Sequence, residues 1–217
     1  MQTLLFNIKV ITNLHAGSGD AGFGIVDKLV QRDAATNLPT IFASGIKGAL
    51  REYFNVSLNK SYISEVFGAD DNGTGGAQSG LYRFLAADIL AIPVPADASP
   101  YYRLVTDLEY LQGLEQKYIK LDNSFNISNT FSNEPEPFKS ACKELPVIAR
   151  NHLESGQSKN LWYEEVVPHQ TEFITALQVP TENNSVDDFI RSLDNNIVQI
   201  GGNATVGYGL CLFTKIN

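Results

Sequence analysis

An aspartate in an otherwise apolar run, GIVDKLVQRD at residues 24 to 33, is the first group here that could do chemistry. Flanked by Lys28 and Arg32, the Asp27 carboxylate could position a metal ion or accept a proton from a ribose 2′-hydroxyl. A loop aspartate simply paired with Arg32 is the plainer alternative, and the residues alone leave both open. His15, just after the first apolar stretch, is a candidate general base, although a structural hydrogen bond is the commoner role for such a histidine. In WYEEVVP, Glu164 and Glu165 alternate across a strand, so at most one of them can face a given site.

A second constellation suits phosphate. In FASGIKGALREYF, residues 42 to 54, Ile46, Ala49, Leu50, Tyr53 and Phe54 fall on one face of a helix, while Lys47 and Arg51 share another. Ser44 is a good N-cap, and Gly45 and Gly48 keep bulk away from the first turn, where free N–H groups and the positive dipole end point outward. That arrangement fits an anion; an ordinary surface helix with solvated cations fits the same residues. IGGNATVGYGL, residues 200 to 210, carries Gly201, Gly202, Gly207 and Gly209 around a turn. Such a loop can expose N–H groups to a ligand backbone, or be no more than a tight turn. GSGDAG, residues 17 to 22, matches a dinucleotide fingerprint, but the run that follows is β-rich rather than helical, so that reading is set aside. His15, His152 and His169 show no metal-ligand spacing, and DDNG at residues 70 to 73 lacks the alternation of a calcium loop.

Those residues must be held by a core, and a chain of 217 residues that is 43% hydrophobic can bury one. A net charge of −8 argues against a generally basic nucleic-acid coat, yet Lys28, Arg32, Lys47, Arg51 and Arg83 gather in the first part of the chain. A local basic groove on an acidic body is therefore permitted. Cys142 and Cys211 are too few for a disulfide framework and suggest a reducing cytoplasm. The N-terminus reads as a strand rather than a signal peptide, and no apolar run reaches membrane-spanning length, so a soluble cytoplasmic protein is expected.

The patterns predict strands, or a strand followed by an extended loop, over residues 3 to 14 and 23 to 31, a helix over 44 to 54 and a short helical piece at SYISEVFG. A flexible loop follows at 70 to 80, then a strand in LYRFLAADILAIPV and a helix over 106 to 120. Residues 122 to 137 read as an exposed insertion. NLWYEEVVP and TEFITALQVP read as two strands around Pro168, SVDDFIRSLDNN as a helix with a Ser185/Asp188 capping pattern, and ATVGYGLCLFTKI as a closing strand. Without the insertions the order is strand, helix, strand, strand, helix, strand. That is an α+β, ferredoxin-like βαββαβ core with inserted loops and helices, the plan shared with RNA-recognition motifs. The fold implies no function by itself.

Taken together, the segment from LHAGSGDAGFGIVDKLVQ to GIKGALREYF, then VFGADD, AADILAIPV, NLWYEEVVP and IGGNATVGYG, resemble in order and type the RAMP superfamily of CRISPR proteins. They are most similar to the repeated backbone subunit of the type III-B (Cmr) effector complex. The likeness covers most of the chain as a single RAMP domain with insertions at about 55–80 and 106–158, although residues 113 to 146 match little. It implies subunits that stack head to tail with one another and with other RAMP subunits along a CRISPR RNA, and that cleave complementary target RNA at regular intervals. The cofactor implied is a divalent metal, Mg or Mn, and no membrane is involved. Carried over by motif, Asp27 is the catalytic and metal-binding carboxylate, and His15 and Glu164 lie near the active centre. Lys47, Arg51, Ser44, Gly45, Gly48, Arg32, Gly201, Gly202, Gly207 and Gly209 match RNA-contacting elements. Lys28-Leu29 departs from the Leu-Pro that commonly follows the aspartate, and the middle insertion is reduced. A guide-binding scaffold without nuclease activity, or a ferredoxin-like domain binding a small ligand through its glycine loops, are the competing readings.

Overall fold

The computed structural model describes residues 1–21, 24–57, 60–69, 78–123, 125, 127, 131–181 and 185–216. In chain order its elements are β1 (Gln2–Val10), β2 (Gly17–Ala21), β3 (Lys28–Val30), α1 (Ala43–Ser57), α2 (Lys60–Phe67), β4 (Ala87–Pro95) and β5 (Tyr102–Thr106). There follow α3 (Leu108–Ile119), α4 (Pro135–Lys143), β6 (Val147–Glu154), β7 (Gln157–Glu165), β8 (Glu172–Val179), α5 (Ser185–Leu193), β9 (Asn196–Gln199) and β10 (Leu210–Lys215). Most of the loop expected at 70 to 80 and the side chain of Ser185 lie outside the described residues.

The main sheet runs β5-β4-β8-β1-β10-β9, with β1 antiparallel to both β8 and β10 and β8 antiparallel to β4. Its central order, β10-β1-β8-β4, is the 4-1-3-2 order of a ferredoxin-like sheet, with α1 and α5 as the two crossover helices. Alternation along β1 explains why the sheet sits there. Phe6, Ile8 and Val10 point to the face covered by α1 and α5, where Ile46, Leu50, Phe54, Phe189 and Leu193 are buried against them. Phe54 and Phe189 stack with ring centroids 4.5 Å apart. Truncating a ring so buried costs about 3–5 kcal/mol. The other face, Leu5, Leu90, Ile174 and Ala176, is sealed by Leu111, Leu114 and Tyr118 of α3. Tyr118 passes its hydroxyl proton between Asp88 (2.8 Å) and the carbonyl of Ile174 (3.0 Å), so the one polar atom of that ring is satisfied.

A second, four-stranded sheet holds Glu164 and Glu165 and lies beside Asp27. The β6–β7 hairpin pairs through β7 with β3 in parallel, Glu164 opposite Lys28, and β3 pairs antiparallel with β2. Most of the hairpin is exposed, and only its base, at Glu164 and Glu165, is buried. No described helix is long and apolar enough to cross a membrane.

Candidate functional site: a cleft between two sheets

Asp27 sits in the bend just before β3; of the run 23 to 31, expected as a strand or as strand and extended loop, Lys28–Val30 forms the strand. Its own N–H donates to the carbonyl of Tyr163 (2.9 Å) and its Oδ2 accepts the N–H of Tyr163 (2.7 Å). Two contacts to one residue of β7 fix the carboxylate, while the residue as a whole remains exposed. The pairing with Arg32 weighed from the sequence does not occur. Arg32 donates instead to Glu165 (2.6 Å) and to the carbonyls of Cys142 (2.7 Å) and Asn37 (3.1 Å). Those contacts anchor β3 to the base of the hairpin.

His15 is almost fully buried, and its Nδ1 lies 2.7 Å from the carbonyl oxygen of Glu165. A carbonyl only accepts, so Nδ1 carries the proton and Nε2 is left to act as an acceptor in the neutral ring. At Gly17 a Cβ would stand 3.1 Å from Nε2, so the glycine keeps that edge of the imidazole open. His15, Gly17, Gly19, Asp27, Lys28, Leu29 and Gly202 together line a cleft of about 590 Å³. The two residues proposed from the sequence as acid–base groups thus share one cavity.

The glycine-rich loop closes that cleft from the C-terminal side. Gly201, at φ +75°, approaches so closely that a Cβ would meet the carbonyl oxygen of His15 at 2.4 Å, and Gly202 donates its N–H to the same oxygen at 3.0 Å. Gly209 abuts the carbonyl of Ile200 in the same way. Gly207 ends the short 3₁₀ turn Ala204–Val206 with open space around it. Gly201 and Gly209 are therefore glycines for backbone contact within the fold, whereas Gly202 lines the cleft beside His15 and Gly207 faces open space.

Glu164, expected near the active centre, is held at the base of the hairpin. Its side chain is 0% exposed and receives Arg150 Nε at 2.8 Å, Asn203 Nδ2 at 2.8 Å and Trp162 Nε1 at 3.3 Å. So enclosed, the carboxylate ties the hairpin to the glycine-rich loop. Around it, Arg150 lies over the ring of Tyr208 (4.8 Å) and the ammonium of Lys28 over Trp162 (4.9 Å). Trp162, Arg150, Asn203 and Tyr208 went unremarked in the sequence. The positive φ of 64° at Asn203, a residue type that tolerates that conformation, is consistent with its place inside the loop, but only the fold brings it to Glu164.

In α1, Ile46 donates to the carbonyl of Phe42 (3.1 Å), so the helix starts before Ser44, and Ser44 is a first-turn residue rather than the cap. The N–H of Phe42 is satisfied by Gln31 Oε1 (2.6 Å), whose Nε2 donates to the carbonyl of Gly17 (3.0 Å). Gln31 thereby ties the start of α1 to the rim of the cleft, a role no sequence pattern announced. A Cβ at Gly45 would stand 3.8 Å from Ile41 and 4.0 Å from Gln31, ordinary contact distances, and Gly48 faces open space. Lys47 and Arg51 are half-buried on the same helix, outside the residues that line the cleft.

Among the described residues no group of three or more His, Cys, Asp or Glu side chains is placed to hold a metal ion. Asp27 is the one carboxylate among the described residues lining the cleft. One carboxylate fits a hard cation that completes its shell from phosphate oxygens and water, as magnesium commonly does, rather than an ion caged by protein.

A ferredoxin-like core with a glycine-rich C-terminal loop folded over an Asp/His cleft is the class of domain these observations define. The chain belongs to the RAMP superfamily, whose family model matches residues 7–212. It is 25% identical over 287 aligned residues to the CRISPR system Cmr endoribonuclease Cmr4 of Pyrococcus furiosus, covering all of this chain and 95% of that protein. Its fold is similar to a chain in the cryo-EM structure of the type III-B Cmr-beta bound to cognate target RNA, with TM-score 0.79, 21% identity and coverage of 99% and 97% of the two chains. The crystal structure of oligomeric Cmr4 from Pyrococcus furiosus is likewise similar in fold, with TM-score 0.65, 19% identity and coverage of 100% and 99%.

Proposed function

We propose that this chain is the repeated backbone subunit of a type III-B CRISPR RNA-guided effector complex, binding CRISPR RNA and cleaving complementary target RNA at regular intervals. The observation that carries the reading is the cleft in which Asp27, clamped to Tyr163, and the open Nε2 of His15 face the same space. The full-length likeness to a Cmr endoribonuclease supports it. In this account a target nucleotide splayed into the cleft presents its 2′-hydroxyl to His15 Nε2, which takes the proton as the 2′-oxygen attacks the adjacent phosphorus. The bond from phosphorus to the 5′-oxygen breaks, that oxygen takes a proton from water, and a 2′,3′-cyclic phosphate and a 5′-hydroxyl result. Asp27 would hold a divalent metal, Mg or Mn, jointly with the substrate phosphate; such an ion, when bound, supplies positive charge to the phosphate oxygens. The first turn of α1, with Lys47 and Arg51, and the glycine-rich loop at Gly202 and Gly207 hold the guide backbone. Other RAMP subunits and further copies of this chain, stacked head to tail, are its protein partners.

Replacing the nucleotide at a cut site in the target with its 2′-deoxy form tests this chemistry. Cutting is expected to vanish at that position alone, and cutting that persists there would exclude attack by the 2′-oxygen.

A further inference from the structure

Among the described residues around the cleft, one cation is not committed to a carboxylate. Glu164 is neutralised by Arg150 and Glu165 by Arg32. Asp27 therefore contributes a negative charge to a cavity in which the proposed reaction must build a second negative charge on phosphorus. Against that stands Lys28, which lines the same cleft. It is exposed, has no carboxylate partner among the described residues, and rests its ammonium 4.9 Å above the ring of Trp162. The clamp between Asp27 and Tyr163 and the register of Lys28 opposite Glu164 fix the backbone from which it projects. A cation–π contact made by an exposed ammonium is weak, so the ammonium can transfer from the half-buried indole to phosphate at little cost.

We infer that Lys28 is a catalytic residue for RNA cleavage, its ammonium moving from Trp162 onto the non-bridging oxygens of the scissile phosphate, where it offsets the charge that develops as the 2′-oxygen attacks. This rests on the cleavage reading of the cleft. The ammonium donates hydrogen bonds and transfers no proton, so the bonds formed and broken are unchanged. Lys28 differs from Lys47 and Arg51 in kind: they lie outside the cleft lining and act on binding, whereas it acts on the barrier.

The test is single-turnover cleavage of labelled complementary RNA by the guide-loaded complex at saturating complex, with target affinity measured separately. Wild type, Lys28→Gln and Lys28→Arg are compared. Losing one preorganised charge donor at a developing oxyanion typically slows chemistry about 100-fold. Lys28→Gln is expected to lose about that factor in the saturated rate while target affinity changes less than about threefold, and Lys28→Arg to recover at least part of it. A saturated rate within about threefold of wild type for Lys28→Gln, or a loss confined to affinity, overturns the inference while leaving the nuclease reading intact. A wild-type complex that binds target without cutting it overturns both.

Discussion

Glu164→Ala should be among the most destabilising single changes in this chain, and the structure gives its size. The carboxylate is fully enclosed and takes hydrogen bonds from Arg150, Asn203 and Trp162 at 2.8, 2.8 and 3.3 Å. Deleting it leaves the Arg150 guanidinium, only 20% exposed, without its counter-charge. Removing one partner of a buried pair costs about 3–5 kcal/mol. The residual exposure of Arg150 and its stacking on Tyr208 place this case at the low end, about 3 kcal/mol. For a chain of this length each kcal/mol lowers the melting temperature by roughly 2–4 °C, so Glu164→Ala should melt roughly 6–12 °C below wild type. Replacing the pair together, Arg150→Met with Glu164→Leu, should recover part of the loss, because no buried charge is then stranded. Thermal unfolding of the isolated chain, followed by the fluorescence of its single tryptophan, Trp162, reads both effects. Melting within about 1 °C of wild type for Glu164→Ala, or a double change no better than the sum of its parts, would refute the buried-pair reasoning. In the assembled complex, Glu164→Gln should cut target RNA within about tenfold of wild type, since the group positions the loop and does not touch substrate.

Gly201→Ala must bear a positive φ, which costs a side chain about 1–2 kcal/mol, and also a contact of 2.4 Å with the His15 carbonyl. Gly207→Ala meets only the first of these, so the gap between their melting temperatures measures the contact, and equal values would disprove the close approach. Gly48 faces open space inside α1, so Gly48→Ala should stabilise the free chain by up to about 1 kcal/mol in urea unfolding. The same change should weaken guide RNA binding if a phosphate backbone seats there; unchanged affinity would remove Gly48 from the RNA surface. Asp107 caps α3 through the N–H groups of Glu109 and Tyr110 and bridges to Lys139 at 3.1 Å. Burial works to raise its carboxyl, but Lys139 and those N–H groups hold it below the ordinary aspartate value of 3.8. The stability it adds is complete above that value and is lost as pH falls through the lowered native one. Asp107→Ala should therefore cost about 1 kcal/mol at neutral pH and progressively less in acid, and a deficit independent of pH would contradict this.

Period and punctuation made the ferredoxin-like order legible. The alternation of Phe6, Ile8 and Val10 and the helical spacing of Ile46, Leu50 and Phe54 each report a face, and both faces are buried as their patterns require. The hairpin strand Val147–Glu154 carried no such signal because nearly all of it is exposed, so neither of its faces needs to be apolar. Residues 122 to 137 read as an exposed insertion because of their prolines. Pro135 instead opens α4, where a missing N–H costs nothing, and that helix carries Phe138 and Cys142 into the core. Burial pushes both cysteine thiols up to about 12, so neither is a reactive group. Asp27 and His15 could be named as candidates from residue type and motif. Their common cleft depends on contacts across 136 and 150 residues, to Tyr163 and Glu165, which no local pattern encodes. Arg32 meets Glu165 across 133 residues and Glu164 meets Asn203 across 39, so both charges looked available until the fold paired them.

Cleavage of a labelled complementary RNA by the reconstituted guide-loaded complex, wild type against Asp27→Ala, with and without divalent metal, bears most directly on the central claim. The account predicts regularly spaced, metal-dependent cuts by wild type and none by Asp27→Ala, with guide binding the same in both. Cuts by Asp27→Ala at the wild-type rate would contradict it, and so would a wild-type complex that binds guide and target yet leaves the target whole.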